Sequence, residues 1–267
     1  WWALIIAVVF VISELVCVAC VPERPVACDE KPGKISDMFK ALFKNDQAMT
    51  VVVSIILVYT SLNICGNLVL YFFRFDVGNE GAYSIFAAVA FAAQVLVMMV
   101  IPLLRKRFSK SQLFISGFII QIAGFAVILI MAFAKLYTPQ SWYILCLPGI
   151  LIYLGYGMLN VIMTIFLSDS VDYGEVMNGT REESVIFSMQ TFTVKLASGV
   201  AVFLAGLVVD WIHLDTAAAV QTQDTLDALR MWMTIPSVIL LIVGIFVFKR
   251  FYKLDDTRME EIKSKLN

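Results

Sequence analysis

Apolar residues in this chain fall in seven long blocks, at residues 1–21, 49–73, 83–104, 112–134, 142–167, 185–209 and 231–248. Each block is close to the roughly 20 residues that a helix needs to cross about 30 Å of hydrocarbon. The pattern predicts an all-α integral membrane protein with about seven transmembrane helices. Most connections are short and polar, and only 22–48 and 210–230 are longer.

Composition agrees with the pattern. Hydrophobic residues make up 60% of the 267 positions and charged residues 15%, with a mean hydropathy of +0.86. A soluble domain sits near half apolar and a quarter charged. The bilayer is therefore an expected partner, and nucleic acid is not.

Basic loops stay on the cytoplasmic side of a membrane. With 22–48 placed inside, the inner segments carry sixteen of the 20 lysines and arginines, and the outer ones only Arg74, Lys135 and Arg230. The twentieth is Lys195. This bias predicts a multi-pass protein of the cell inner membrane with a cytoplasmic C-terminus. The chain opens on Trp1-Trp2, which resembles an interfacial aromatic anchor, with no initiator methionine and no charged leader. The expectation is a chain that begins inside a larger protein.

Metal and redox chemistry find little support. Cys17, Cys20 and Cys28 are spaced like metal ligands but lack a fourth partner, because the single histidine, His213, falls on the other side of the membrane. All five cysteines are read as reduced and structural, Cys65 and Cys146 as small hydrophobes. Asn178-Gly179-Thr180 fits a glycosylation sequon, yet on the inner side it reads as a turn.

Lys195 is the eleventh residue of its block, which places it about 15 Å deep at 1.5 Å per residue. A lysine there costs at least ~2.5 kcal/mol to insert, and its side chain is too short to reach the interface. Ser184, Ser188, Thr191, Lys195 and Ser198 share one helix face. Two further stripes accompany it: Tyr59, Asn63, Asn67 and Tyr71 in the second block, and Tyr153, Tyr156, Asn160 and Thr164 in the fifth. A single stripe is explained by interhelical hydrogen bonding. Three stripes and a buried lysine predict a shared polar cavity at mid-membrane depth, built from hydroxyls, amides, tyrosines and one cation for a small polar solute such as a sugar. Past the fifth block, Asp169, Asp172, Glu175, Glu182 and Glu183 outnumber the single base Arg181. Glu182 and Glu183 read as solvated loop charges, whereas Asp169 and Asp172 read as a gate for a base supplied from outside the chain.

Ser168-Asp-Ser-Val-Asp-Tyr-Gly-Glu175, Gly179-x-Arg181, Phe187-Ser188-x-Gln190-Thr191 and Lys195 closely resemble the signature of the glycoside-pentoside-hexuronide:cation symporters, the melibiose-permease-like branch of the major facilitator superfamily. Asn63, Tyr71, the Arg105-Lys106-Arg107 loop and Phe251-Tyr252-Lys253-Leu254-Asp255 extend the likeness over the chain. The resemblance implies helices 6–12 of a twelve-helix carrier. Residues 1–21 would be the last helix of the N-terminal bundle, 22–48 the cytoplasmic central loop, 49–248 the six-helix C-terminal bundle, and 249–267 a cytoplasmic tail. It further implies Lys195 at a joint sugar and cation site, Gln190 and Thr191 lining the pocket, and Asp169, Asp172, Glu175 and Arg181 in a cytoplasmic charge network. A sodium ion or proton would be the coupling cation, with no other cofactor, and the missing N-terminal half a partner. Asn160 stands about where the melibiose carrier has a sugar-stacking tryptophan, which bears on sugar choice.

Other classes fit less well. A retinal-type photoreceptor needs a buried counter-ion beside its lysine, and Glu14, the intramembrane acid, lies near the inner end of the first block. A membrane enzyme lacks a nucleophile-base pair or a metal set. A non-transporting sugar sensor remains compatible with the sequence.

Overall fold

The computed structural model describes residues 2–20, 43–179, 183–218 and 220–266. The chain forms two compact units, Trp1–Asp37 and Met38–Asn267. Among the described residues the first carries one helix, α1 (Trp2–Cys20), apolar except for Ser13 and Glu14 and with no acid in its first turn or base in its last.

Among the described residues the second unit is a bundle of six long helices and one short one: α2 (Asp46–Tyr71), α3 (Ala82–Leu104), α4 (Lys110–Phe133), α5 (Cys146–Asn178), α6 (Glu183–Trp211), α7 (Gln223–Phe251) and α8 (Asp256–Leu266). Among the described residues seven helices, α1 included, are long and apolar enough to cross a membrane. The expected all-helical membrane fold is what forms.

Local chemistry sets the ends. Asn45 caps α2 by accepting from the Ala48 amide at 2.9 Å. Ser109 and Gln112 make a reciprocal capping box on α4, at 3.2 and 3.0 Å. Thr222 accepts from the Thr225 amide at the start of α7. Beyond Tyr71 the chain widens into a π-helical turn, Phe72–Val77, closed by Gly78 at a φ of 73°. Gly179, at a φ of 72°, ends α5 in the left-handed cap that glycine adopts without penalty.

Several helices outrun their apolar blocks, because hydropathy marks the exit from lipid and says nothing about where backbone hydrogen bonding stops. The acid-rich segment expected as a loop after residue 167 is the last three turns of α5, so Asp169, Asp172 and Glu175 are helical. The expected outer loop 210–230 shrinks to residues 212–222, and Arg230 lies inside α7. The tail folds as well: Leu254, Met259 and Ile262 around α8 are buried against Tyr173, Val176 and Tyr252. Residues 22–42 of the expected central loop lie outside the described residues.

α2 and α5 form the centre. α5 packs on α3, α4 and α2, while α2 packs on α6 and α7, and α4 also meets α7. Phe114, Phe166, Phe248 and Tyr252 join α4, α5 and the end of α7 in one aromatic stack, with centroids 4.4 to 5.2 Å apart. The closest backbone approach is between α4 and α5, where a Cβ on Gly155 would lie 2.6 Å from both the Gln121 nitrogen and the Gly117 oxygen. Because those atoms are backbone, they cannot yield without parting the helices. Gly155→Ala is accordingly expected to cost about 1–3 kcal/mol, read as a lower unfolding temperature of the solubilised protein. Gly206→Ala on α6, where a Cβ meets nothing within 4 Å, should leave that temperature unchanged.

Candidate functional site

The stripe on α6 lies on the side that the bundle leaves open. Ile186, Met189, Thr193, Ala197, Ala201 and Ala205 are buried, whereas Ser184, Ser188, Thr191 and Lys195 are exposed and Ser198 is half-buried. The Thr191 hydroxyl is spent on the Phe187 carbonyl at 3.3 Å. Lys195 has no hydrogen bond or ion pair among the described residues. Gln190 departs from its expected place: it is half-buried and lies five residues from Lys195, about 140° around the helix. Adjacency in the motif is not adjacency on the helix surface.

The α2 and α5 stripes meet directly. The Asn160 amide donates to the Tyr59 hydroxyl, and Tyr59 and Tyr156 pack edge to face with centroids 5.5 Å apart. Tyr153 continues the row, its ring 6.5 Å from that of Tyr156. Asn63 and Asn67 instead donate to the backbone oxygens of Tyr59 and Asn63, each one turn back, at 2.7 Å. Thr164 donates to the Asn160 carbonyl and is exposed. Tyr71 is half-buried.

Among the described residues these stripes lie apart from the large groove of the bundle. That groove, of about 700 Å³, is apolar, lined by Ile56, Thr60, Val200, Trp232, Ile235 and neighbours, and none of the expected site residues lines it. Within this bundle the stripes stand as half-buried and exposed polar faces, apart from the buried Tyr156.

At the end of the bundle that carries α8, Asp169 is buried and ion-paired with Lys110, side chains 7% and 8% exposed. The gate reading looked for its partner outside the chain, but the base comes from the first turn of α4. Lys110 also lies 3.5 Å from Asp256, which in turn sits 3.4 Å from Arg105. Asn45 donates to the Ser170 carbonyl at 2.8 Å. Gly174 makes room for that contact, since a Cβ there would lie 2.8 Å from the Asn45 amide. Burial, and behind it the negative field of Asp169 and Asp256, pushes the Tyr252 phenol above its usual range. Asp172 and Glu175 are half-buried on the same extension, and Arg181 lies outside the described residues.

The opposite end holds a second charged centre that the sequence reading passed over. Arg230 grips Asp76 through two nitrogens, both side chains only 3% exposed, and reaches Asp227 at 2.7 Å. Tyr137 donates to the same Asp76 carboxylate at 2.6 Å. Burial and that hydrogen bond raise its phenol above the ordinary range. Stripping one partner from such a pair typically costs about 3–5 kcal/mol. The available signal was Asp76 and Arg230, of opposite sign, at the same membrane face of two separate blocks. Counting Arg230 as a loop charge concealed it.

The family model described as "MFS/sugar transport protein" matches residues 1–256. Among curated relatives, the chain is 25% identical to the uncharacterized symporter YjmB of Bacillus subtilis, over 94% of its own length and 54% of the relative's. It is 23% identical to the raffinose carrier protein of Pediococcus pentosaceus, over 87% of its length and 35% of that protein's. With the isoprimeverose transporter of Lactiplantibacillus pentosus the identity is 25%, over 95% and 51%. The chain thus spans about half the length, or less, of these relatives. A signature at 168–195 on two adjoining helices and a match over almost the whole chain agree: this is a member of the MFS/sugar transport protein family, in its glycoside-pentoside-hexuronide:cation symporter branch.

Proposed function

We propose that this chain is the C-terminal bundle of a carrier that moves a sugar or glycoside across the cytoplasmic membrane, coupled to sodium or a proton by alternating access. The observation that carries the reading is Lys195, a cation at mid-membrane depth on an uncovered polar face, unpaired among the described residues. A bare ammonium in hydrocarbon is untenable, so the face must meet water, a solute or a carboxylate from another bundle. The raffinose and isoprimeverose names of the relatives support a sugar. Lys195 would hydrogen-bond sugar hydroxyls or balance acids of the other half. Tyr59, Tyr156 and Asn160 would form the opposite wall, with Ser188, Thr191 and Thr164 at its margins, and the C-terminus would face the cytoplasm. Two bundles rocking about a midplane site then expose it to each side in turn.

Uptake by the full-length protein in vesicles tests the reading. Accumulation of a sugar under an imposed sodium or proton gradient is the expected result. Sugar binding without uptake would make the protein a sensor instead. Residues 1–267 reconstituted alone should accumulate nothing, since one wall of the cavity is absent, and accumulation by them would remove the two-bundle reading. Neutralising Asp169 and Asp172 together should slow transport more than it weakens equilibrium sugar binding, because a gate biases conformations without touching the ligand. A collapsed binding constant with a normal transport cycle would place both residues in the sugar site.

A further inference from the structure

Lys110 is a buried base shared by two carboxylates on different elements. Asp169 belongs to α5 and Asp256 opens α8, 3.5 Å from the Lys110 ammonium. Asp256 is held in place by contacts that do not involve its charge. Leu254, Met259 and Ile262 anchor α8 on Tyr173 and Val176. Gln47 fastens the preceding linker, accepting from the Lys253 amide at 2.8 Å and donating to the Phe251 carbonyl at 3.4 Å. The four charged groups in contact, Arg105, Lys110, Asp169 and Asp256, sum to zero, and the Tyr252 phenol beside the carboxylates is uncharged. Arg105 is 28% exposed and keeps water within reach, whereas Lys110 does not.

We propose that Asp256 is a stand-by counter-ion for Lys110, which lets Asp169 leave its partner during a conformational change. The purpose of the switch rests on the carrier reading, while the sharing of Lys110 does not. A buried ammonium with a single carboxylate partner is a lock, because parting the two leaves both uncompensated. A second carboxylate, fixed 3.5 Å away on its own helix, turns the lock into an exchange: Lys110 swings from Asp169 to Asp256 by a change of rotamer. The acid-bearing end of α5 is then free to meet a base elsewhere. The buried Lys110 stays paired throughout, and Arg105, 28% exposed, relinquishes its share of Asp256 to solvent.

The sharing predicts non-additivity. In thermal unfolding of the solubilised full-length protein, Asp169→Asn and Asp256→Asn should each lower the midpoint modestly, since Lys110 retains one partner. The double variant should fall further than the two shifts combined, by on the order of 5 °C or more. Additive shifts would overturn the sharing. If the double variant fails to accumulate in the membrane, adding Lys110→Met should restore it, and failure to restore overturns the proposal equally. The switching is read by sugar exchange, which Asp256→Asn should slow roughly tenfold at unchanged equilibrium sugar binding. Exchange at the wild-type rate would overturn it. A wild-type protein that moves no sugar yet shows the non-additive shifts would remove the carrier reading and leave the shared counter-ion standing.

Discussion

On the proposed reading, Lys195→Ala in the full-length protein is expected to abolish cation-coupled accumulation of sugar while leaving insertion into the membrane intact. The two halves of this expectation have separate causes. Insertion does not suffer, because removing a charge about 15 Å deep relieves at least ~2.5 kcal/mol of unfavourable transfer. Folding of this bundle should not suffer either, since Lys195 is exposed and makes no hydrogen bond or ion pair among the described residues. What would be lost, on the proposed reading, is the cation that holds the solute or balances acids of the other half. An accumulation ratio near one, with normal amounts of protein in the membrane fraction, is the result to look for. Wild-type accumulation by the alanine variant would sink the proposed role.

The second large effect is structural and falls at the opposite end of the bundle. Arg230→Ala leaves Asp76 buried with only the Tyr137 hydroxyl as a donor, and is expected to cost about 3–5 kcal/mol. In a protein of this size that lowers the unfolding midpoint by on the order of 10 °C. Asp76→Ala should cost less, because Arg230 keeps the Asp227 carboxylate at 2.7 Å. Replacing both together by apolar residues of similar volume, Asp76→Leu with Arg230→Met, should recover much of the loss, because neither desolvated charge remains. Thermal unfolding in detergent of the four proteins decides it. An unchanged midpoint in Arg230→Ala would mean that the pair is solvated in the membrane-embedded protein.

How far the site could be read from sequence depended on the range of the interaction. The Ser188, Thr191 and Lys195 face was legible, because helical periodicity alone puts residues three and four apart on one side. The same arithmetic misplaces Gln190, which a motif read as a string keeps beside Thr191. The pairing of Tyr59 with Asn160 joins positions 101 residues apart, and each stripe predicted only that it faced something polar. Lys110 stood in a basic loop that was counted for orientation, and no local feature distinguishes it from Arg107 three residues earlier. Only the packing of α4 against α5 buries it beside Asp169.

By itself the sequence determined the class of fold, the number of spans and the family. These follow from hydrocarbon thickness, helical rise and a contiguous signature, each a property of residues near one another along the chain. The tertiary structure decided where helices stop and which charges are paired. It extended α5 through the acids to Gly179, drew Arg230 out of a supposed loop into a buried pair with Asp76, and folded the tail onto α5 to bring Asp256 to Lys110. The reason is physical: hydropathy records the cost of leaving water one residue at a time, whereas burial of an ion depends on what distant elements bring to neutralise it.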